Sequence, residues 1–364
     1  MAELLVTGGA GFIGANFVRY WIDTHPGDGV TVLDALTYAG MRESLAGIDR
    51  LRFVHGDIRD GALVEGLLDR LGVDTIVHFA AESHVDRSIT GPMAFLQTNV
   101  LGTAALLEAA KRVWIDRGTG RPHRFHHIST DEVFGSLSPD APAFTEASRY
   151  EPNSPYSASK AASDHFVRAW HHTYGLQVTT SNCSNNYGPY QFPEKLVPLF
   201  LLNALTGEPL PIYGDGGNVR DWLYVEDHCR GIDAVLTRGA VGETYNIGGG
   251  AELPNLVVVD AICATVDAAF AEDPSLAQRF PRAPAARGAP TATLRRFVTD
   301  RPGHDRRYAV DASRAAAELG HRPRHSFHDA LARTLRWYLD HEAWWRMARR
   351  RIAAPRAETL RATG

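Results

Sequence analysis

Two acidic residues stand side by side where an apolar segment ends. The stretch RFHHISTDEVFG places Asp131 and Glu132 directly after residues typical of a buried strand. Adjacent carboxylates repel each other and resist burial, so a fold that places them near its core usually needs both. Because repulsion raises the pKa of one group, one carboxyl could stay protonated as an acid while the other serves as a base. The alternative interpretation is an ordinary turn or helix start, where Ser, Thr, Asp and Glu are common.

A tyrosine and a lysine form a second pair suited to chemistry. In SPYSASKAASDHFV, Tyr156 and Lys160 lie four residues apart on a predicted helix and therefore share one face. A phenol titrates near pKa 10 and acts as a base at neutral pH only beside a positive charge, which Lys160 would supply. Chance alone would place such a pair on a helix surface about 0.1 times in a chain with this many tyrosines and lysines. Ser129 or Thr130 could hydrogen-bond a substrate hydroxyl that Tyr156 deprotonates.

A glycine-rich turn near the N-terminus predicts a dinucleotide site. LLVTGGAGFIGANF carries the pattern Gly-x-Gly-x-x-Gly at Gly9, Gly11 and Gly14, and Gly8 directly precedes it. The pattern lies between a predicted strand and a predicted helix. Such glycines let backbone N–H groups approach a pyrophosphate at the helix N-terminus. Asp34 closes the next strand, where its carboxylate would accept hydrogen bonds from the adenosine ribose and repel a 2′-phosphate, which favours NAD over NADP. Asp57, after the third strand, could contact the adenine edge.

The composition excludes several classes of protein. The chain has 364 residues, 44% of them hydrophobic and 22% charged, and a formal net charge of -4, so we expect no nucleic-acid partner. Its three cysteines are far apart, which argues against a disulfide framework and suits the cytoplasm. No apolar run approaches the roughly 20 residues of a membrane helix, and MAELLVTGGAG does not resemble a signal peptide. We expect no metal, because His78, His126 and His127 lie on apolar strands as core histidines do.

Alternation of short apolar runs with amphipathic stretches indicates the elements that position these residues. ELLVTGG, TVLDA, LRFVHGD, TIVHFAA and RFHHIST are typical of strands, with helical spacing between them. The pattern predicts an α/β protein with a Rossmann-type doubly wound parallel sheet, followed by a smaller mixed C-terminal lobe. Successive strand side chains point to opposite faces, so both acidic residues could reach one substrate only from the turn after their strand, at the carboxyl edge of the sheet.

The motifs together resemble a known family. The glycine-rich start, Asp34 and Tyr156-x-x-x-Lys160 resemble the extended short-chain dehydrogenases/reductases that act on nucleotide sugars. Longer motifs are similar to those of the dTDP-glucose 4,6-dehydratases within that group, from residue 3 to about residue 325: AAESHVDRSITGP, HHISTDEVFG, NSPYSASKAASDH, NCSNNYGPYQFPEKL, LPIYGDGGNVRDWLYVEDH, ETYNIGGG and DRPGHDRRYAVD.

The resemblance implies an NAD-dependent lyase with dTDP-glucose as substrate. Tyr156 would take the proton of the sugar's 4-hydroxyl, with Thr130 as hydrogen-bond partner, while hydride passes from carbon 4 to NAD. The new ketone acidifies carbon 5, so Glu132 would act as base there, and Asp131 as acid would protonate the hydroxyl leaving carbon 6. Hydride then returns to carbon 6. The product would be dTDP-4-keto-6-deoxyglucose, an intermediate for deoxysugar biosynthesis.

The resemblance also carries over binding residues, position by position. Those expected to contact the cofactor are Gly8, Gly11, Phe12, Ile13, Gly14, Asp34, Leu36, Thr37, Asp57, Ile58, Ala80, Ala81, Ser83, Thr98, Tyr156, Lys160 and Asn186. Those expected to contact the substrate are Ser83, Thr130, Asn185, Lys195, Leu196, Pro211, Tyr213, Arg220, Asn255, Arg301 and His304. Arginine suits a diphosphate because its planar fork binds two oxygens at once; a surface ion pair is the alternative role for each arginine.

The pattern along the chain predicts the domain organisation, and the resemblance implies a homodimer. Residues 1–190 would form the NAD-binding domain with the catalytic residues, and residues 191–345 mainly the nucleotide-sugar lobe, with some strands and helices returning to the first domain. Residues 346–364 would form an Arg-rich, flexible tail. Residues 271–297 read as an irregular insertion, and Phe134 replaces the family's usual Tyr.

Three other functions remain compatible with much of the sequence. A nucleotide-sugar 4-epimerase would share Tyr156, Lys160 and NAD but needs no acid and base at carbons 5 and 6. GDP-mannose 4,6-dehydratase also eliminates water, yet its matching stretch lacks the Asp. A non-catalytic NAD or nucleotide-sugar binding protein would not need the full set of Tyr, Lys, Asp and Glu.

Overall fold

The computed structural model describes residues 1–118 and 120–353. Its twelve strands are, in chain order, β1 (Glu3–Thr7), β2 (Gly29–Asp34), β3 (Leu51–His55), β4 (Thr75–His78), β5 (Arg124–Thr130), β6 (Val178–Cys183), β7 (Asn185–Tyr187), β8 (Leu210–Tyr213), β9 (Val219–Tyr224), β10 (Thr244–Ile247), β11 (Glu252–Pro254) and β12 (Arg295–Val298).

Its α-helices alternate with the strands in the first half and cluster in the second. In chain order they are α1 (Phe12–Thr24), α2 (Gly61–Arg70), α3 (Val85–Thr90), α4 (Pro92–Phe95), α5 (Thr103–Lys111), α6 (Pro155–Tyr174), α7 (Leu196–Thr206), α8 (Val225–Arg238), α9 (Asn255–Glu272), α10 (Leu276–Arg279), α11 (Ser313–Leu319), α12 (Phe327–Asp340) and α13 (Glu342–Ala353). Two π-helical turns, Leu96–Gly102 and Arg112–Asp116, flank α5. The 3₁₀ turns are Arg42–Leu45, Asp131–Phe134, Ala285–Arg287 and Thr291–Leu294.

A parallel sheet of seven strands forms the centre, in the order β3-β2-β1-β4-β5-β6-β10. The order reverses between β1 and β4, which leaves a crevice at the carboxyl ends of the strands, where doubly wound sheets bind ligands. Both faces of the sheet are covered. Leu4 and Val6 of β1 are fully buried in the core shared with α1 and α8, and Leu5 is buried in the core shared with α2, α5 and α6. The predicted Rossmann-type α/β fold is confirmed.

The chain returns to this sheet from its second half. Strand β10 pairs in parallel with β6, and α8 packs on α1, although both elements follow residue 190. The predicted domain boundary at residue 190 divides the sequence, but the central sheet contains strands from both sides of that boundary.

The second lobe contains two small sheets and its own core. Strand β9 pairs in parallel with β7 and antiparallel with β11, and β12 pairs in parallel with β8. Helices α7, α9, α12 and α13 surround the core. Residues 271–297, predicted to be irregular, contain the end of α9, the short helix α10, two 3₁₀ turns and the start of β12.

The Arg-rich C-terminal region begins as a packed helix. Residues 346–353 continue α13, in which Ala348 is fully buried and the Arg349 guanidinium donates to Asn203 Oδ1 (2.5 Å). Residues 354–364 of the predicted tail lie outside the described residues. Within residues 1–118 and 120–353, none of the helices has both the length and the apolar character needed to span a bilayer.

Candidate active site

The glycine-rich turn joins β1 to α1 at the crevice. Gly8 has φ +71°, and a Cβ there would lie 2.6 Å from the Ala80 backbone nitrogen. A Cβ at Gly14 would lie 2.4 Å from the Gly8 carbonyl oxygen. Gly11 precedes α1 and provides no side chain to cap it. The turn is therefore packed too tightly for side chains, and the first N–H groups of α1 are available to an anion.

Asp34 closes β2 beside this turn. Its Oδ2 accepts a hydrogen bond from Ala10 N (2.9 Å) and its Oδ1 accepts one from Leu36 N (2.8 Å). Burial raises the pKa of Asp34, and the two backbone donors oppose that shift. A glycine cradle with a fixed carboxylate one strand away fits the pyrophosphate and adenosine ribose of NAD, and the carboxylate disfavours a 2′-phosphate.

One cavity of about 340 Å³ joins this turn to the predicted catalytic residues. The predicted site residues that line it are Gly8, Gly11, Phe12, Ile13, Gly14, Asp34, Thr37, Asp57, Ile58, Ala80, Ala81, Ser83, Thr98, Thr130, Asp131, Glu132, Tyr156, Lys160, Asn185, Asn186, Lys195 and Leu196. The structure thus brings together residues from both halves of the chain.

Asp131 and Glu132 lie in the 3₁₀ turn Asp131–Phe134, directly after β5. Thr130 caps this turn, with its Oγ1 accepting from Glu132 N (3.3 Å). The turn breaks the strand alternation, so both carboxyl groups line the same cavity.

The charges that surround Asp131 differ from those that surround Glu132. Burial, and then the charges of Glu132 and Asp221, raise the pKa of Asp131 well above its usual range. Burial also raises the pKa of Glu132, but Lys195, Arg220 and Arg301 oppose that shift. Both carboxyl groups are thus shifted toward the protonated form, and the three cations beside Glu132 favour it as the base of the pair.

Tyr156 and Lys160 share one face of α6, which starts with a capping box at Ser154. Lys160 Nζ donates to the Ile128 carbonyl (2.8 Å), which holds the ammonium against the end of β5. Burial, and then the Glu132 charge, raise the pKa of Tyr156 well above its usual range, although a hydrogen bond with Thr130 opposes the shift. The protein by itself therefore holds Tyr156 as a neutral phenol.

Behind Lys160 lies a buried acid that the sequence analysis did not identify. Asp164, one turn after Lys160, accepts hydrogen bonds from Ser129 Oγ (2.7 Å) and Tyr150 OH (3.1 Å) and lies 3.0 Å from His127 Nε2. Burial is the main cause that raises the pKa of Asp164 to about 6, and the Lys160 charge opposes it. The spacing Lys160-x-x-x-Asp164 was the available signal.

Seven predicted residues do not line the cavity. They are Leu36, Pro211, Tyr213, Arg220, Asn255, Arg301 and His304. Pro211 and Tyr213 lie on β8, and Asn255 begins α9. The Tyr213 and His304 rings meet edge to face, and Arg301 pairs with Asp86 (2.9 Å).

Two basic residues of the substrate end are held by the protein backbone. Lys195 Nζ donates to the Ser83 carbonyl (2.7 Å), and Arg220 donates to the Asp305 carbonyl (2.9 Å) with its guanidinium over the Tyr308 ring. Glu194, next to Lys195, also lines the cavity and pairs with Arg87 (3.2 Å). Glu194 was not predicted from the sequence, and neither were several other residues that line the cavity, among them Tyr38, Cys183, Gln191, Phe192 and Trp222.

The strand order, the glycine turn after β1 and the Tyr-x-x-x-Lys helix at the carboxyl edge define a Rossmann-type short-chain dehydrogenase/reductase. A family model described as GDP-mannose 4,6 dehydratase matches residues 5–334, and the chain belongs to that family.

Relatives and solved structures refine this placement. A dTDP-glucose 4,6-dehydratase of Xanthomonas campestris pv. campestris (strain B100) is 56% identical over 94% of this chain and 95% of its own length. The crystal structure of DesIV, a dTDP-glucose 4,6-dehydratase from Streptomyces venezuelae, contains NAD and matches with 50% identity and a TM-score of 0.84, over 95% of this chain and 99% of that one. A UDP-glucose 4-epimerase of Thermus thermophilus in complex with NAD shares 27% identity and a TM-score of 0.79, over 93% and 99% of the two chains.

Proposed function

We propose that this chain converts dTDP-glucose into dTDP-4-keto-6-deoxyglucose and water. The observation that carries the proposal is the pair Asp131 and Glu132, held in one turn that lines the same cavity as Tyr156, with three cations near Glu132. High identity to curated dTDP-glucose 4,6-dehydratases over nearly the whole chain supports the same substrate.

The first task of the site is to deprotonate the 4-hydroxyl of the sugar. Tyr156 is the base, and Thr130, whose side chain hydrogen-bonds Tyr156, would hydrogen-bond the same hydroxyl group of the sugar. NAD, held by the glycine-rich turn and Asp34, would supply the hydride acceptor for carbon 4 and the hydride donor for carbon 6, and its positive charge would oppose the raised pKa of Tyr156. Lys160, on the same face of α6 and fixed by the Ile128 carbonyl, would add a second positive charge.

The second task is elimination across carbons 5 and 6. The ketone at carbon 4 acidifies the hydrogen on carbon 5, which Glu132 removes as a base. Asp131 protonates the hydroxyl on carbon 6, so that it leaves as water rather than hydroxide. Atoms and electrons balance, because the hydride lost from carbon 4 is regained at carbon 6.

The decisive experiment measures the products formed from three nucleotide sugars. The purified protein is incubated separately with dTDP-glucose, UDP-glucose and GDP-mannose, and each mixture is resolved by chromatography and mass spectrometry. We expect dTDP-glucose to lose one water molecule much faster than the other two. An unchanged mass with a shifted retention time would indicate a 4-epimerase, and an unchanged mass and retention time would indicate a binding protein. Dehydration of GDP-mannose alone would overturn the proposed substrate.

We further infer that the enzyme is a cytoplasmic homodimer. All three cysteines are free thiols and buried, which suits a reducing compartment. Large apolar side chains are exposed on neighbouring helical segments that contact α6, among them Met93 (62%) and Leu101 (61%), with Phe166 of α6 itself (37%). Pairing of this surface between two copies would form a helical bundle. Light scattering of the wild type against Leu101→Glu tests it, and a monomeric wild type would refute it.

A further inference from the structure

The C-terminal helix packs against the segment that follows β2. We call residues 35–45 the β2 loop. Trp344 Nε1 of α13 donates to Ser44 Oγ (3.1 Å), and the Arg351 guanidinium donates to the Gly40 carbonyl (2.7 Å) and lies 3.6 Å from the Glu43 carboxylate. About 300 residues separate these partners along the chain, so the contacts belong to the tertiary structure and not to a local motif.

Apolar burial reinforces these polar contacts. Met41 of the β2 loop is fully buried in the core of the second lobe, together with Trp344, Trp345 and Ala348 of α13. Tyr38 and Ala39 pack against the same core. Removing the Met41 side chain from water favours this packing, so the second lobe fixes the conformation of the loop.

The other side of the β2 loop faces the proposed NAD site. Thr37, Tyr38, Ala39 and Gly40 line the cavity. Gly40 lies against the Asp34 carboxylate, because a Cβ at Gly40 would come within 2.8 Å of Asp34 Oδ1.

The loop is also tied to the groups that hold Asp34 in place. Leu36, whose N–H donates to Asp34, has the left-handed φ of +49°, a conformation that persists only where neighbours impose it. Met41 N donates to the Ala10 carbonyl (2.9 Å), and Ala10 N donates to Asp34.

From these contacts we propose that α13 is a positioning element for the adenosine half of the dinucleotide. Arg351 and Trp344 hold the β2 loop in the conformation that sets Asp34 against the glycine-rich turn. The inference rests on the proposed NAD dependence and assigns a role to a helix that the sequence analysis placed partly in a flexible tail.

The test compares the affinities of two ligands in the full-length chain. Isothermal titration calorimetry measures the Kd for NAD and, separately, the Kd for dTDP in the wild type, Arg351→Ala and Trp344→Phe. Trp344→Phe keeps an aromatic ring in the core, although a smaller one, and removes the N–H donor. Arg350→Ala is the matched control, because Arg350 is a neighbouring exposed arginine on the same helix.

We expect Arg351→Ala and Trp344→Phe each to raise the Kd for NAD about fivefold, the loss expected for one hydrogen bond, and to leave the Kd for dTDP unchanged. Arg351→Lys should restore part of the NAD affinity, since it keeps a donor for the Gly40 carbonyl. The inference would be overturned if both variants bound NAD with the same Kd as Arg350→Ala. Equal weakening of both ligands would also overturn it, because α13 would then support the fold and not the adenosine site. Binding is measured without turnover, so a wild type that binds NAD and fails to dehydrate dTDP-glucose contradicts the proposed function alone.

Discussion

The two ends of the cavity are built in different ways. At the cofactor end, the turn from Gly8 to Gly14 and the neighbouring Asp34 come from two consecutive strands and the helix between them. The residues proposed for the substrate end come from six separate segments of the chain, Ser83, Lys195, Tyr213, Arg220, Asn255 and Arg301, of which Ser83 and Lys195 line the cavity. On this proposal the cofactor end would recognise its ligand largely through backbone, which demands glycine at fixed positions, whereas the substrate end would use side chains from distant parts of the chain.

We expect the largest effect on turnover at Tyr156, where the two ends of the cavity meet. Tyr156→Phe removes the base on which both hydride transfer and elimination depend, so we expect turnover to fall about 10³-fold or more. NAD content should stay normal, because the ring remains in place. Stopped-flow absorbance of the nicotinamide and mass spectrometry of the sugar measure the two steps. Tyr174→Phe, at the exposed end of the same helix, is the control, and a near-normal rate in Tyr156→Phe would refute its role.

Glu132→Gln should separate the oxidation at carbon 4 from the loss of water. Oxidation at carbon 4 needs Tyr156, so bound NAD should still become reduced on addition of dTDP-glucose. Loss of water should fall about 10²-fold or more, because the amide does not accept the proton from carbon 5. Absorbance of the reduced cofactor during single turnover measures the first step. Failure to reduce the cofactor would contradict the assignment of Glu132 as the base at carbon 5.

The backbone-built end should respond sharply to a single methyl group. Gly14→Ala places a Cβ against the Gly8 carbonyl, so the turn must move, and we expect the Kd for NAD to rise about tenfold or more. The Kd for dTDP should not change. Gly61→Ala is the control, since a Cβ there meets no atom within 4 Å. Similar NAD affinities in the two variants would show that the turn is not the pyrophosphate site.

The side-chain-built end should tolerate the loss of one member better. Arg301→Ala removes one of several cations near Glu132, so we expect the KM for dTDP-glucose to rise about fivefold, with NAD affinity unchanged. Steady-state kinetics measure this effect, with Arg296→Ala, an exposed arginine of β12, as the control. If the KM for dTDP-glucose rose by a larger factor than the Kd for NAD rises in Gly14→Ala, the expected difference between the two ends would be contradicted.

The smallest expected effect concerns the free energy of unfolding and comes from Asp164, which lies behind Lys160. Its folded pKa of about 6 is raised above the unfolded value near 3.9, so the folded state keeps a proton that the unfolded state has lost. The free energy of unfolding therefore falls as pH rises from about 4 to about 6, by at most about 1.4 kcal/mol per pH unit from this group. Asp164→Asn should lack this slope, as denaturant unfolding at several pH values can show. A pH-independent difference between the two proteins would contradict the shift.

The sequence predicted the cofactor end from local rules. Gly11, Gly14 and Asp34 follow from spacing alone, because a turn of this type forms wherever strand, glycines and helix occur in that order. The substrate residues Arg220 and Arg301 followed only from resemblance, since no local pattern tells an arginine near a diphosphate from one in a surface ion pair.

Other features had no local signal strong enough to find them. Glu194 and Asp164 are typical helix or loop acids in the sequence, and only the fold places Glu194 beside Arg87 and Asp164 beside Ser129. Likewise, the sequence placed Arg351 of α13 in a flexible tail, because its partners on the β2 loop lie about 300 residues away.

The return of β10 to the central sheet has a consequence for synthesis of the chain. Until residues 244–247 have left the ribosome, β6 presents an unpaired edge of backbone donors and acceptors. We therefore expect the nascent N-terminal portion to remain a ready target for chaperones and for aberrant strand pairing, and truncations that end near residue 190 to aggregate.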